Sequence, residues 1–276
     1  MLIIKDIHNL KLYLDAYEKK GFSMGYVPTM GSLHVGHGEL IRKSKEDNQK
    51  TIISIFVNEK QFDNPDDYKN YPRNRGKDYD FCDKYDVDII FEPSNEEIYK
   101  EKQMMLINKN FQNILCDKFR PGHFNGVITA LEKLFLITKA KRVYFGEKDY
   151  QQFKIVQSFA QSAFKNLSII SVPTVRQEEG IAFSSRNENL SKKQLQEFVK
   201  FHNNTCLFIS EIDQNTDIAD ANILARDFIK AQNVDRFDYF EFRNSNNLSS
   251  EGTISDARLF YAIYKGEVRL IDNLVT

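Results

Sequence analysis

The chain has 276 residues, long enough to bury a core without disulfides, and its 41% hydrophobic and 28% charged composition is ordinary for a globular protein. Thirty-eight basic against thirty-nine acidic side chains give a formal charge of −1, which disfavours a nucleic-acid binder, since those carry a basic excess on one face. No apolar run approaches the roughly 20 residues of a membrane span, and MLIIKDIHNLKLYL lacks the basic leader and cleavage site of a secretion signal, so a cytoplasmic protein without membrane or nucleic-acid partners is expected.

Leu10, Tyr13, Leu14 and Tyr17 have the spacing of an amphipathic helix, and Gly21 is its expected stop. Five short apolar runs follow: FSMGYV (22–27), TIISIFVN (51–58), VDIIFEP (87–93), RVYFG (142–146) and LSIISVPT (167–174). Continuous apolar runs predict strands buried on both faces, and helix-period segments such as Val127, Leu131, Leu134 and Phe135 lie between them, so the fold class is α/β with a parallel sheet. After about residue 186 the texture changes. NENLSKKQLQEFVK reads as polar helix, and FDYFEFRN (237–244) and RLFYAIYKGEVRLIDN (258–273) alternate as antiparallel strands do, which predicts a smaller α+β domain. Cys82, Cys116 and Cys206 are odd in number and far apart, as suits reduced thiols.

Open parallel sheets bind ligands beyond the carboxyl ends of their strands. PTMGSLHVGH, EKQF, GEKDYQQ and RQEEGIAFSSRN all lie just after predicted strands. Gly31 to Gly36 has P-loop spacing, but His37 and Gly38 stand where Lys and Ser or Thr are required, and no dinucleotide-binding glycine fingerprint is present. Two histidines three apart can share a metal, yet no further ligands are evident nearby. A phosphate cradle remains: free amides at a helix N-terminus would meet the anion, Gly36 would admit it, and His34 and His37 would donate to phosphate oxygens and gain positive charge. The plainer alternative makes both histidines helix-start residues with satisfied hydrogen bonds.

His-x-Gly-His at the first strand-to-helix junction resembles the signature of the nucleotidyltransferase superfamily, which attacks ATP at its α-phosphate. PTMGSLHVGH, SIFVNEKQF, YPRNRGKDYD, RPGHFNGV, FGEKDYQQ, VPTVRQEEGIAFSSRN and RLIDN, in this order, resemble the pantothenate synthetases, or pantoate–β-alanine ligases. The resemblance implies a Rossmann-like nucleotide-binding domain over residues 1–180, a small C-terminal α+β lid domain over 181–276 and a homodimer. It implies ATP with Mg2+ and the substrates pantoate and β-alanine, joined through a pantoyl adenylate.

By resemblance, Met30, Gly31, Ser32, Leu33, His34, Val35, Gly36 and His37 line the ATP site, with His34 and His37 on the phosphates. Gly146, Glu147, Lys148 and Asp149 would serve ATP, Lys148 at the phosphates; Ser184, Ser185 and Arg186 correspond to the synthetases' mobile loop, and Val175 and Phe183 to adenine contacts. His34, His37, Lys148, Ser184, Ser185 and Arg186 are the implied catalytic set. Gln61 and Gln152 match pantoate-binding glutamines, whose amides suit a hydroxy acid. Asp78 falls where the family has an acidic residue near magnesium, and Arg120 and His123 belong to a block that binds substrate or positions a loop. Glu59 replaces a usual proline, which predicts a looser turn before Gln61; Phe183 and Asn125 also depart from the usual residues. Two other functions are weighed: AMP transfer to a phosphorylated acceptor, and a non-catalytic binding protein.

Overall fold

Strands β1 (Leu2–Ile4), β2 (Met24–Thr29), β3 (Lys50–Ile55), β4 (Ile89–Phe91), β5 (Arg142–Gly146) and β6 (Ser168–Val172) form a parallel sheet in the order β1-β4-β3-β2-β5-β6. They belong to a computed structural model that describes residues 1–100 and 105–276. The five expected strands are present: β5 spans its run, β4 and β6 are shorter than theirs, β2 extends to Thr29, and β3 runs from Lys50 to Ile55. The sequence reading missed β1. It is three residues long at the sheet edge, where Leu2 and Ile3 stay 37% and 43% exposed, and the run MLII is too short to mark a strand by itself.

Alternate residues of each strand serve opposite faces of the sheet. On one face Val27, Ile53, Ile55, Ile90 and Tyr144 share a core with Leu40 and Ile41 of the helix Val35–Asp47 and Cys82 of the helix Arg75–Lys84. On the other, Tyr26 meets Phe135 of the helix His123–Thr138 edge to face at 6.5 Å. The helix Ile7–Lys19 buries Leu10 and Leu14 but leaves Tyr13 exposed, so the expected stripe is narrower than its spacing implied. From β2 the chain runs outward through β3 and β4, then crosses to β5 and β6. The adjacent carboxyl ends of β2 and β5 therefore mark the topological switch, where open sheets bind ligands.

Residues Met1–Gln112, Arg120–Glu147 and Gln152–Pro173 form one compact unit, and Asn113–Phe119, Lys148–Gln151 and Thr174–Thr276 a second. The second contains the antiparallel sheet β7 (Arg236–Asn244), β8 (Ala257–Lys265) and β9 (Val268–Val275). The single alternating run predicted over 258–273 is a hairpin, turning at Gly266 with φ +59°. Phe198 and Phe201 of the helix Lys192–Ser210 and Ile218, Ala221 and Ala225 of the helix Ile218–Lys230 pack on Phe240, Phe242, Leu259 and Tyr261. Among the described residues no helix is long and apolar enough to cross a membrane.

Candidate active site

Beyond β2 the chain makes a tight loop into the helix Val35–Asp47, through Gly31 at φ +84° and Ser32 at φ +51°. His34 is the N-cap residue. Its Nδ1 accepts from the Gly36 amide at 3.2 Å, and its own amide donates to Nδ1 of His37 at 3.2 Å. The two imidazoles thus form a reciprocal cap, with ring centroids 4.2 Å apart. A ring nitrogen that accepts carries no proton, so each neutral ring holds its proton on Nε2 and donates from that atom.

The amides of this loop are already engaged. Gly31 donates to Thr29 Oγ1 at 3.2 Å, Ser32 and Leu33 to the Asp78 carboxylate at 3.1 and 2.8 Å, and His37 and Gly38 to the His34 carbonyl. Most amides of the expected cradle therefore already have partners within the loop. Protonating either Nδ1 would break the cap that this atom makes. Both histidines are thus helix-start residues whose Nδ1 atoms make cap hydrogen bonds, as the plainer reading has it.

Gln61 ends the short turn Glu59–Gln61 after β3. Buried Asn58 organises it: its Nδ2 donates to Gln61 Oε1 at 3.0 Å and to the Gly126 carbonyl at 3.1 Å, and its Oδ1 accepts from the Lys60 amide at 3.2 Å and from Tyr99 Oη at 2.7 Å. With Oε1 committed, Gln61 donates through Nε2, which lies 3.0 Å from Met30 Sδ. His123 Nδ1 donates to the Gln61 carbonyl at 2.7 Å, and Arg120, which reaches the same carbonyl at 3.4 Å, is paired with Asp63 at 3.1 Å. Arg120 and His123 hold the turn, the loop-positioning role left open above. Gly126 allows this approach: a Cβ there would lie 2.1 Å from the Lys60 carbonyl oxygen. The looser turn expected from Glu59 is offset by these ties. Asn125 also has a structural task, accepting from the Asn108 amide at 2.8 Å. Gln152 lies half-buried in the first turn of the helix Tyr150–Ala163, after β5, Gly146 and Glu147.

In the second unit, Lys148, Ser184, Arg186, Asn187, Phe198 and Arg269 line a shallow pocket. Ser184 caps the short helix Ser185–Asn189, its Oγ accepting from the Arg186 amide at 3.3 Å, and the Arg186 guanidinium reaches the Arg269 carbonyl at 3.5 Å. Lys148 is 19% exposed and lies 4.0 Å from Asp149. Val175 and Phe183 face each other in a small hairpin, the Phe183 amide donating to the Val175 carbonyl at 3.1 Å.

RLIDN, recognised without a role, now has one. Asp272 is buried and takes Arg176 in a two-pronged ion pair at 2.7 and 3.2 Å, while Asn273 Nδ2 donates to the Lys148 carbonyl at 3.0 Å. Sequence reasoning missed Asn58, Arg176, Asp272 and Asn273 as site supports. Their blocks were recognisable, but only folding shows what they hold.

Asp78 is 3% exposed, and burial raises its carboxyl above the usual range despite the two amides. Burial also pushes the Cys82 thiol up to about 12, as befits an inert core cysteine. Among the described residues no three His, Cys, Asp or Glu side chains gather as a metal cage. Asp78 uses one lone pair of each oxygen on an amide and belongs to no such cluster, so the described residues do not build a site for a resident magnesium ion.

The model of the pantoate-beta-alanine ligase family matches residues 2–275. Pantothenate synthetase of Caldicellulosiruptor bescii is 36% identical over 278 residues, covering 100% of this chain and 99% of its own, and that of Clostridium botulinum strain 657 is 38% identical over 280 residues, covering 99% and 98%. The crystal structure of pantothenate synthetase from Thermus thermophilus superposes with a TM-score of 0.89 at 32% identity, covering 100% of this chain and 99% of that one. Pantoate-beta-alanine ligase from Francisella tularensis, complexed with beta-gamma ATP and beta-alanine, gives 0.81 at 36% identity over 100% and 97%. With its parallel sheet, paired histidines and antiparallel C-terminal sheet, the chain belongs to the pantoate-beta-alanine ligase family.

Proposed function

We propose that the chain condenses (R)-pantoate with β-alanine to pantothenate at the expense of ATP, through pantoyl adenylate. A carboxylate is a poor electrophile, and the mixed anhydride supplies AMP as a leaving group. A pantoate carboxylate oxygen attacks the α-phosphorus, the bond from phosphorus to the bridging oxygen breaks, and pyrophosphate departs with the electron pair. The neutral amine of β-alanine then attacks the acyl carbon, the bond to AMP breaks, and nitrogen loses a proton as the amide forms. The ATP and β-alanine held by the Francisella tularensis relative support this choice of substrates.

The observation that carries the reading is the paired imidazole cap. Two Nε2–H donors fixed by their own Nδ1 bonds suit the charge that grows on the α-phosphate oxygens, because they need no reorganisation when the reaction occurs. In this reading Gln61 donates to the pantoate oxygens from Nε2, and Gln152 serves the same substrate, as the resemblance of its block implies. In the same reading Lys148, Ser184, Ser185 and Arg186 serve the nucleotide, as the resemblance of FGEKD and FSSRN implies. Magnesium belongs, in this reading, to the ATP substrate. Pantoate labelled with 18O in its carboxylate tests the proposal: one label should appear in AMP for each pantothenate formed, and label-free AMP would exclude the adenylate. Turnover that requires a phosphorylated acceptor and leaves AMP bound to it would favour the alternative nucleotidyl transfer.

A further inference from the structure

The helix Arg75–Lys84 is fastened to the end of β4. Arg75 pairs with the buried Glu92, Tyr79 Oη donates to the same carboxylate at 2.6 Å, and the Glu92 amide donates to the Ile4 carbonyl at 2.8 Å. Cys82, one turn beyond Tyr79 on the same helix face, anchors the helix in the sheet core. Thus fixed, the helix extends Asp78 to the loop after β2, where Oδ2 accepts from Ser32 and Oδ1 from Leu33. The same block touches the loop again through the Pro72 carbonyl, 3.3 Å from Ser32 Oγ.

The backbone at this place needs holding. Ser32 sits at φ +51°, a left-handed conformation that costs a non-glycine residue about 1 kcal/mol and persists only where the surroundings fix it. A Cβ on Gly31 would lie 2.9 Å from Asp78 Oδ2, so the carboxylate is fitted closely against the turn. Ser32 and Leu33 lead directly to His34, whose ring makes half of the histidine cap.

We infer that Asp78 is a positioning residue: it clamps the left-handed turn Gly31–Leu33 and thereby sets His34 and His37, and it does not coordinate magnesium. The inference rests on the proposed adenylation only for its kinetic readout.

Asp78→Asn keeps the size of the side chain but leaves one accepting oxygen for two amides; Asp78→Ala leaves none. Hydrogen exchange at Ser32 or Leu33 should accelerate about tenfold or more in Asp78→Asn, and at both in Asp78→Ala. Pantoate-dependent ATP–pyrophosphate exchange should slow by about tenfold or more, as expected for displaced catalytic groups, with the magnesium concentration for half-maximal rate unchanged within about twofold. Unaltered protection of both amides in Asp78→Ala would overturn the clamp. A large rise in the magnesium requirement, with the rate restored at saturating magnesium, would make Asp78 a metal ligand. A wild-type protein without exchange activity would sink the adenylation reading instead, and amide protection alone would then decide the clamp.

Discussion

The His34 amide donates to Nδ1 of His37 at 3.2 Å, so the ring assigned to the phosphates also holds the start of its own helix. His37→Ala should therefore do two separable things. Losing the cap should cost about 1 kcal/mol in urea unfolding. Losing an oriented donor should slow adenylation about a hundredfold. Substituting Asn tests the separation, since it can restore a cap acceptor but not the donor at Nε2: stability should recover and rate should not. Adenylation within about threefold of wild type, a barrier change below 1 kcal/mol, would remove His37 from the chemistry.

Gly126 lets the helix His123–Thr138 touch the turn that carries Gln61. A methyl group 2.1 Å from the Lys60 carbonyl must displace that turn. Gly126→Ala should raise the pantoate KM by about tenfold while the ATP KM stays within about twofold. An equal rise in both would show that the damage spreads beyond the Gln61 turn.

Arg176 is the ion-pair partner of buried Asp272. Arg176→Ala strands that carboxylate and should cost about 3 kcal/mol of stability. The double variant Arg176→Ala with Asp272→Asn, which removes the stranded charge, should be more stable than the single one. The reverse order in chemical denaturation would contradict the pairing.

His202 is 3% exposed, and its Nδ1 has no hydrogen-bond partner among the described residues. Burial, aided by Arg176 and opposed by Asp272, lowers its pKa from 6.5. A histidine depressed in the folded state contributes stability above 6.5 that is lost as pH falls through the lowered value, because the unfolded chain takes up the proton first. The urea midpoint should fall between about pH 7 and pH 5, and His202→Gln should shrink that fall. An identical pH dependence in wild type and variant would refute the assignment.

The sheet was legible because continuous apolar runs leave little choice of environment, whereas β1 was too short and too exposed at the edge to declare itself. The loop motifs were legible as blocks, and their placement after strands pointed to one end of the sheet. Their division of labour was not. That Asp78 holds amides, that His123 holds a carbonyl and that Asn273 reaches Lys148 are facts of contacts distant in sequence. A residue type alone does not distinguish a side chain that meets substrate from one that fixes its neighbour.

The central claim is a reversible adenylate made from pantoate, and ATP–pyrophosphate exchange without β-alanine measures it directly. Incorporation of labelled pyrophosphate into ATP should require pantoate and should fall when His37 is replaced by Ala. Exchange that proceeds equally without pantoate, or no exchange in a protein that binds both ATP and pantoate, would contradict the account.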